Sequence, residues 1–209
     1  MDTYASMTEL LHKLSSRDNY EVYTDQSHHS LIKIFAPHGG CIEPATEPIA
    51  LGIARERFDY FVFSGRRKTD CYRVLHVTGT HYDEPTCLEM VLASELSVAI
   101  HGSAESQELV HVGGGNKELA TELIGELRRL GYPAVRAPEG MKGLDDKNFV
   151  NLARRRGIQL ELSAGFRKTL FPSFPKIFQR NEPYFQRFTT SMKSWLSQIE
   201  STMDGVPFS

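Results

Sequence analysis

The sequence lacks an excess of charge of either sign. Its 209 residues carry a formal net charge of −2, so no global field points to nucleic acid or to an anionic membrane surface. It also lacks any apolar run near the roughly 20 residues that cross a bilayer. The opening residues, MDTYASMTELLHKL, have neither the basic region nor the long apolar core of a signal peptide. The expectation is therefore a cytoplasmic protein without membrane or nucleic-acid partners, released only by lysis or an unusual route. Cysteine is scarce. Cys41, Cys71 and Cys87 cannot all pair within one chain and show no CxxC spacing, so reduced thiols are expected. No GxSxG is present, which disfavours a serine hydrolase. The glycine loop VGGGNKEL opens a helix and could offer its N–H groups to an anion. It lacks the Lys-Ser/Thr of a P-loop, so a nucleotide site is disfavoured. Repeats and low-complexity segments are missing as well.

What remains has the composition of an ordinary globular chain, 40% hydrophobic and 24% charged. The length suits one domain over 1–209, expected to act as a monomer. A first helix is predicted over Thr8–Leu14. Strand-like runs cover Ser30–Ala36, Asp59–Ser64, Tyr72–Thr78, Leu96–His101, Glu108–Val112, Ala134–Arg136 and Ile158–Ser163. Their continuous Val, Ile, Phe and Leu content predicts strands buried on both faces. Helical patterns lie between them, at Pro48–Phe58, Thr86–Glu95, Asn116–Leu130, from Asp145 or Asp146 to Arg156, and at Glu182–Met203. In the third of these, Leu119, Leu123, Ile124, Leu127 and Leu130 share one face, with Asn116 as N-cap and Gly131 just past the end. Strands interleaved with helices predict a three-layer α/β fold: an open mixed sheet with helices on both faces.

Three segments carry candidate chemistry. In LIKIFAPHGGCIEPAT an apolar run ends at Pro37. His38 follows, then two glycines, then Glu43. Imidazole and carboxylate are both zinc ligands, and a catalytic zinc needs three protein ligands plus a water. His101 ends a second apolar run, LSVAIHG, and Glu161 sits in a third, IQLELS. Ligands in open α/β sheets bind beyond the carboxyl ends of strands, where His38 and His101 are predicted to lie. His38, Glu43 and His101 fill a zinc set, with Cys41 as a less favoured ligand. The alternative is a hydrogen-bonded His–Glu pair that pins a loop. Glu161 is predicted to be desolvated, with a raised pKa suited to general acid–base work; an edge strand with a solvated polar face is the alternative. Arg167, just past Glu161, could clamp a substrate carboxylate bidentately. Arg154 and His81 are further candidates for the cleft, His76 reads as a strand histidine, and His28 and His29 as solvated turn residues.

At these residues the chain resembles the phage-type poly-γ-glutamate hydrolases and their prophage-derived relatives in bacilli. APHGGCIEPAT, THYDEP, VAIHG and GIQLELSAGFR occur in that order between Ala36 and Arg167. More distantly the chain looks like zinc carboxypeptidases and the acylglutamate or formylglutamate amidohydrolases. Four residues separate His38 from Glu43, where carboxypeptidases have two, and this favours the hydrolase subgroup. The resemblance implies a zinc carboxypeptidase-like fold, one Zn2+ per chain on His38, Glu43 and His101, and Glu161 as the general base that activates the zinc-bound water. It also implies that poly-γ-glutamate is the substrate, cleaved at its γ-glutamyl amide bonds. In a phage setting such an enzyme would strip a capsule barrier. Two alternatives stay open: an amidohydrolase of small N-acylated acidic amino acids, and a non-catalytic module that binds an acidic polymer.

Overall fold

The computed structural model describes residues 2–203. Its strands are β1 (Tyr20–Asp25), β2 (Ile32–Gly40), β3 (Asp59–Gly65), β4 (Leu96–Ser103), β5 (Val110–Gly113), β6 (Ala134–Arg136) and β7 (Gly157–Ser163). Its α-helices are α1 (Met7–Lys13), α2 (Ser16–Asn19), α3 (Thr46–Ala54), α4 (Cys71–Leu75), α5 (Pro85–Leu92), α6 (Lys117–Arg129), α7 (Ala164–Leu170) and α8 (Glu182–Met203). The strands form one seven-stranded sheet in the order β1-β3-β2-β4-β7-β5-β6. The run β3-β2-β4-β7 is parallel, while β1 on β3 and β5 on β7 are antiparallel. The sheet is therefore mixed, and its helices cover both faces, as expected.

Period-two side-chain alternation sorts the strand residues between two cores. Ile32, Ile34, Val98, Ile100, Leu160 and Leu162 face α3, α6, α7 and α8. Phe35, Phe61, Phe63 and Ala99 face α1, α4 and α5. The faces of the parallel strands that read as continuous apolar runs are therefore buried on both sides. Burying each large side chain contributes roughly 1.5–3 kcal/mol. On the second face the alternation brings Gln159 and Glu161 of β7 and His101 of β4 to the same side as Ala99. His101 and Glu161 are direct partners in the β4–β7 register.

Three expectations need correction. Tyr72–Thr78 is not a strand: Cys71–Leu75 is a short helix, and His76 is its C-cap. Asp145–Arg156 is not a helix. It contains only a 3-10 turn at Phe149–Leu152, because the Asn151 amide is bonded to the Gly143 and Asp145 carbonyls and pins the chain as a loop. The thiols are not all reduced either: Cys41 is bonded to Cys71, with Cα atoms 5.7 Å apart, and Cys87 is the free, buried cysteine. The two half-cystines lie 30 residues apart, and β2–β3 pairing brings them together. Gly40 is the register partner of Gly65, and the Cys41 N–H donates to the Gly65 carbonyl. Gly40 has φ +62°, and a Cβ there would stand 2.1 Å from the Gly65 oxygen. Only glycine permits that approach.

Candidate metal centre and cleft

The loop after β2 is wound tightly enough to bring Glu43 back onto His38. The Glu43 N–H donates to the His38 carbonyl at 2.9 Å. The Thr46 hydroxyl, at the start of α3, donates to the Glu43 and His38 carbonyls at 2.8 and 3.2 Å. Above this loop Tyr82 donates to the Pro37 carbonyl at 2.9 Å and sets its ring edge-on to His38. In the same THYDEP segment Asp83 accepts the Thr8 N–H and Glu84 caps α5.

His38, Glu43 and His101 converge. His38 Nδ1 lies 3.2 Å from Glu43 Oε1 and 3.1 Å from His101 Nδ1, and His101 Nδ1 lies 3.8 Å from Glu43 Oε2. Donor atoms at about 2.0–2.1 Å from one tetrahedral zinc stand roughly 3.3 Å apart, so the spacing fits that ion. All three side chains are buried, and His101 Nε2 has no hydrogen-bond partner. His38 Nε2 faces the Val77 carbonyl at 3.0 Å. A carbonyl only accepts, so Nε2 carries the proton and Nδ1 of the neutral ring presents its lone pair inward. Glu43 Oε2 accepts the Gly102 N–H at 2.8 Å. Burial pushes His101 down to about 3, into the neutral form that a metal takes. Burial would push Glu43 up, but His38 and the other partners outweigh it and hold the carboxyl at about 2. At His38 burial opposes charge, yet Glu43 draws the ring upward. The space between His38 and Glu43 therefore favours a positive charge.

Glu161 faces the same cleft from β7. Burial, reinforced by the Glu43 charge, pushes its carboxyl up to about 8. Gln159 Nε2 donates to Glu161 Oε1 at 2.9 Å, and Asn148 Nδ2 donates to Gln159 Oε1 at 3.0 Å. This amide relay fixes one carboxyl oxygen. The cleft has a volume of about 580 Å³ and is walled by the segment from Glu139 to Asp145 together with Tyr72, His76 and Thr78.

The other candidates are placed differently. Arg167 is buried beneath the cleft, where its guanidinium donates to the Pro44 carbonyl at 2.7 Å and the Ser103 carbonyl at 2.6 Å and lies over the Phe174 ring. It straps the Glu43 loop to the end of β4 and does not line the cleft where a substrate would lie. A Cβ on Gly102 would stand 2.6 Å from that guanidinium, which accounts for the glycine after His101. Arg154 does not reach the cleft. Its N–H donates to the Ser94 carbonyl and its side chain pairs with Glu95, at the opposite end of β4. His81, at the end of a 3-10 turn, is exposed and does not line the cleft, although its neighbours Gly79 and Thr80 do. His28 and His29 are exposed. His76, expected as a strand histidine, lines the cleft instead, and Gln159 and Asn148 were not singled out for the site from the sequence. Gln159 was legible in principle, since the alternation in IQLELS puts it beside Glu161.

The profile of the poly-gamma-glutamate hydrolase family matches residues 4–191. The chain belongs to this family. It is 33% identical over 201 residues to "UPF0714 protein YndL" of Bacillus subtilis (strain 168), a match covering 93% of this chain and 78% of YndL. The "SPbeta prophage-derived UPF0714 protein YoqZ" of the same organism is 31% identical over 176 residues, covering 83% of this chain and 63% of YoqZ. Among solved structures, zinc-free YndL superposes with a TM-score of 0.87 at 33% identity, covering 95% of this chain and 99% of that one. A bacteriophage poly-gamma-glutamate hydrolase superposes with a TM-score of 0.88 at 25% identity, covering 97% of this chain and all of that one, 100%. The zinc carboxypeptidase-like α/β architecture of this family is the architecture of this chain. An N-formylglutamate amidohydrolase from Ralstonia eutropha, at 11% identity and a TM-score of 0.55 over 88% of this chain and 99% of that one, shares the fold alone. Among the described residues no helix is long and apolar enough to cross a membrane.

Proposed function

We propose that this chain is a zinc-dependent hydrolase of the γ-glutamyl amide bonds of poly-γ-glutamate. Its family and the bacteriophage neighbour support the polymer substrate, and the zinc-free state named for YndL supports the metal. The observation that carries the reading is the pairing, across one β4–β7 register step, of a donor set spaced for zinc with a carboxyl raised to about 8. His38, Glu43 and His101 hold the metal. Bound zinc supplies Lewis acidity toward the scissile carbonyl and lowers the pKa of a water.

The remaining work falls to Glu161. Gln159 occupies its Oε1, which leaves Oε2 to take a proton from the attacking water and return it to the leaving amine. A carboxyl with a raised pKa can do both near neutrality. Among the described residues that line the cleft, Lys142 is placed to meet the substrate's α-carboxylates, exchanging its Glu139 partner for the substrate. Each chain carries all of these groups, so the proposed chemistry needs no more than a monomer. The prophage and bacteriophage origins of YoqZ and the structural neighbour support a phage setting, in which the enzyme would degrade a capsule.

The test is Glu161→Gln. Turnover of poly-γ-glutamate should fall by roughly 10²–10⁴-fold, with zinc content and polymer binding kept. A Glu161→Gln variant with parental turnover would remove Glu161 from the reaction. A parent without turnover that still binds the polymer would identify a binding module.

A further inference from the structure

His76 stands outside the ligand set just described, yet it is built as a metal ligand is built. It caps α4, its backbone N–H donating to the Tyr72 carbonyl at 3.0 Å, and its side chain lines the cleft. Its Nδ1 lies 2.8 Å from Asp2 Oδ1, while Asp2 Oδ2 accepts the Thr78 N–H at 2.7 Å. An ionised carboxylate only accepts, so Nδ1 carries the proton and Nε2 of the neutral ring offers its lone pair to the cleft. A carboxylate behind an imidazole is the usual outer partner of a metal-bound histidine. The ring is also held between two others, with its centroid 4.3 Å from that of His38 and 4.6 Å from that of Tyr72.

Nε2 of His76 lies 4.0 Å from Glu43 Oε1, the oxygen that also faces His38 Nδ1. Ligand atoms from His38, Glu43 and His76 all fall within 4.8 Å of one another. Each has a separate partner fixing its orientation: the Val77 carbonyl for His38, the Gly102 N–H for Glu43 and Asp2 for His76. In their neutral tautomers the two imidazoles and the carboxylate present three acceptors and no donor to one another. Such a set is costly to bury unless a cation lies among its members.

We propose that His76 is an additional ligand of the metal held by His38, Glu43 and His101, with Asp2 as its orienting partner. The inference rests on the metal reading above. Catalytic zinc sites sometimes expand to five-coordination in the transition state, and such an expansion would admit a further imidazole beside a position for chemistry. A histidine that only lined the cleft would leave metal affinity unchanged.

The experiment uses the full chain. Zinc affinity is measured by competition with a chromophoric chelator, and the visible spectrum is recorded after loading with Co2+. The parent is compared with His76→Ala, His76→Phe and Asp2→Asn, each first shown by circular dichroism to be folded without metal. His76→Phe keeps an aromatic ring in the stack and removes both nitrogens. Both His76 variants should bind zinc at least about 10-fold more weakly and show a changed cobalt spectrum. Asp2→Asn should weaken zinc by about 10-fold, within the range of lost outer partners. Parental affinity and an unchanged cobalt spectrum in folded His76 variants would overturn the proposal. A parent that binds no zinc would overturn the metal reading itself, and this proposal with it.

Discussion

In Glu161 a carboxyl group is held in a position that discourages its charge. Its ordinary pKa is 4.5, and burial beside Glu43 lifts it to about 8. Between these values the folded protein binds a proton that the unfolded chain has released, so stability falls as pH rises from about 4.5 to about 8. In metal-free protein, Glu161→Gln should remove this slope. Comparing denaturation at pH 5 and pH 8.5, the parent should lose on the order of 2–3 kcal/mol more than the variant, less than the full shift because the carboxyl opens to the cleft. Equal losses would place the carboxyl in ordinary contact with water. The meeting of His38, Glu43, His101 and Glu161 at one cleft was legible because each sits beside or within an apolar run that periodicity identifies as a strand. Arg167 was legible as a residue near the site but not in its role. Its proximity in sequence to Glu161 suggested a substrate clamp, whereas its two carbonyl partners, Pro44 and Ser103, come from segments that only the fold brings together.

The elements repeat the lesson at longer range. The parallel core strands and α8 follow from their patterns, α8 at the predicted bounds Glu182–Met203. Tyr72–Leu75 alternates like a strand but lies in a helix that the Cys41–Cys71 bond anchors to the loop after β2. β1 was passed over because an edge strand is half exposed and carries no apolar run. Two predictions belong here. Glu200 on α8 is buried, accepts the Leu31 and Ile32 N–H groups at 2.7 and 3.1 Å, and pairs with Arg57. Glu200→Ala leaves those amides unpaired where β2 begins, and should cost about 2–4 kcal/mol by urea denaturation. A loss below about 0.5 kcal/mol would mean that the helix does not clamp the strand. Replacing both Cys41 and Cys71 with serine frees the loop that carries Glu43. Stability should fall by roughly 2–4 kcal/mol, and free thiols counted in the unfolded, unreduced parent should number one, from Cys87. Three free thiols would contradict the bond.

At the scale of the whole molecule, the site exists because a parallel run of strands delivers its carboxyl ends to one edge. β2 ends at the His38 loop, β4 carries His101, and β7 carries Glu161 in register with it. The fold class and this convergence were readable from the alternation of strands and helices. The far placement of Arg154 was not, since helix and strand patterns do not say which end of the sheet a connection serves. The proposed function makes this assembled edge a zinc-dependent poly-γ-glutamate hydrolase. The most direct test is size analysis of poly-γ-glutamate incubated with purified protein, with and without a zinc chelator and with zinc added back. The expected result is a collapse in polymer length that the chelator abolishes and zinc restores. An unchanged polymer, with one zinc shown to be bound per chain, would contradict it.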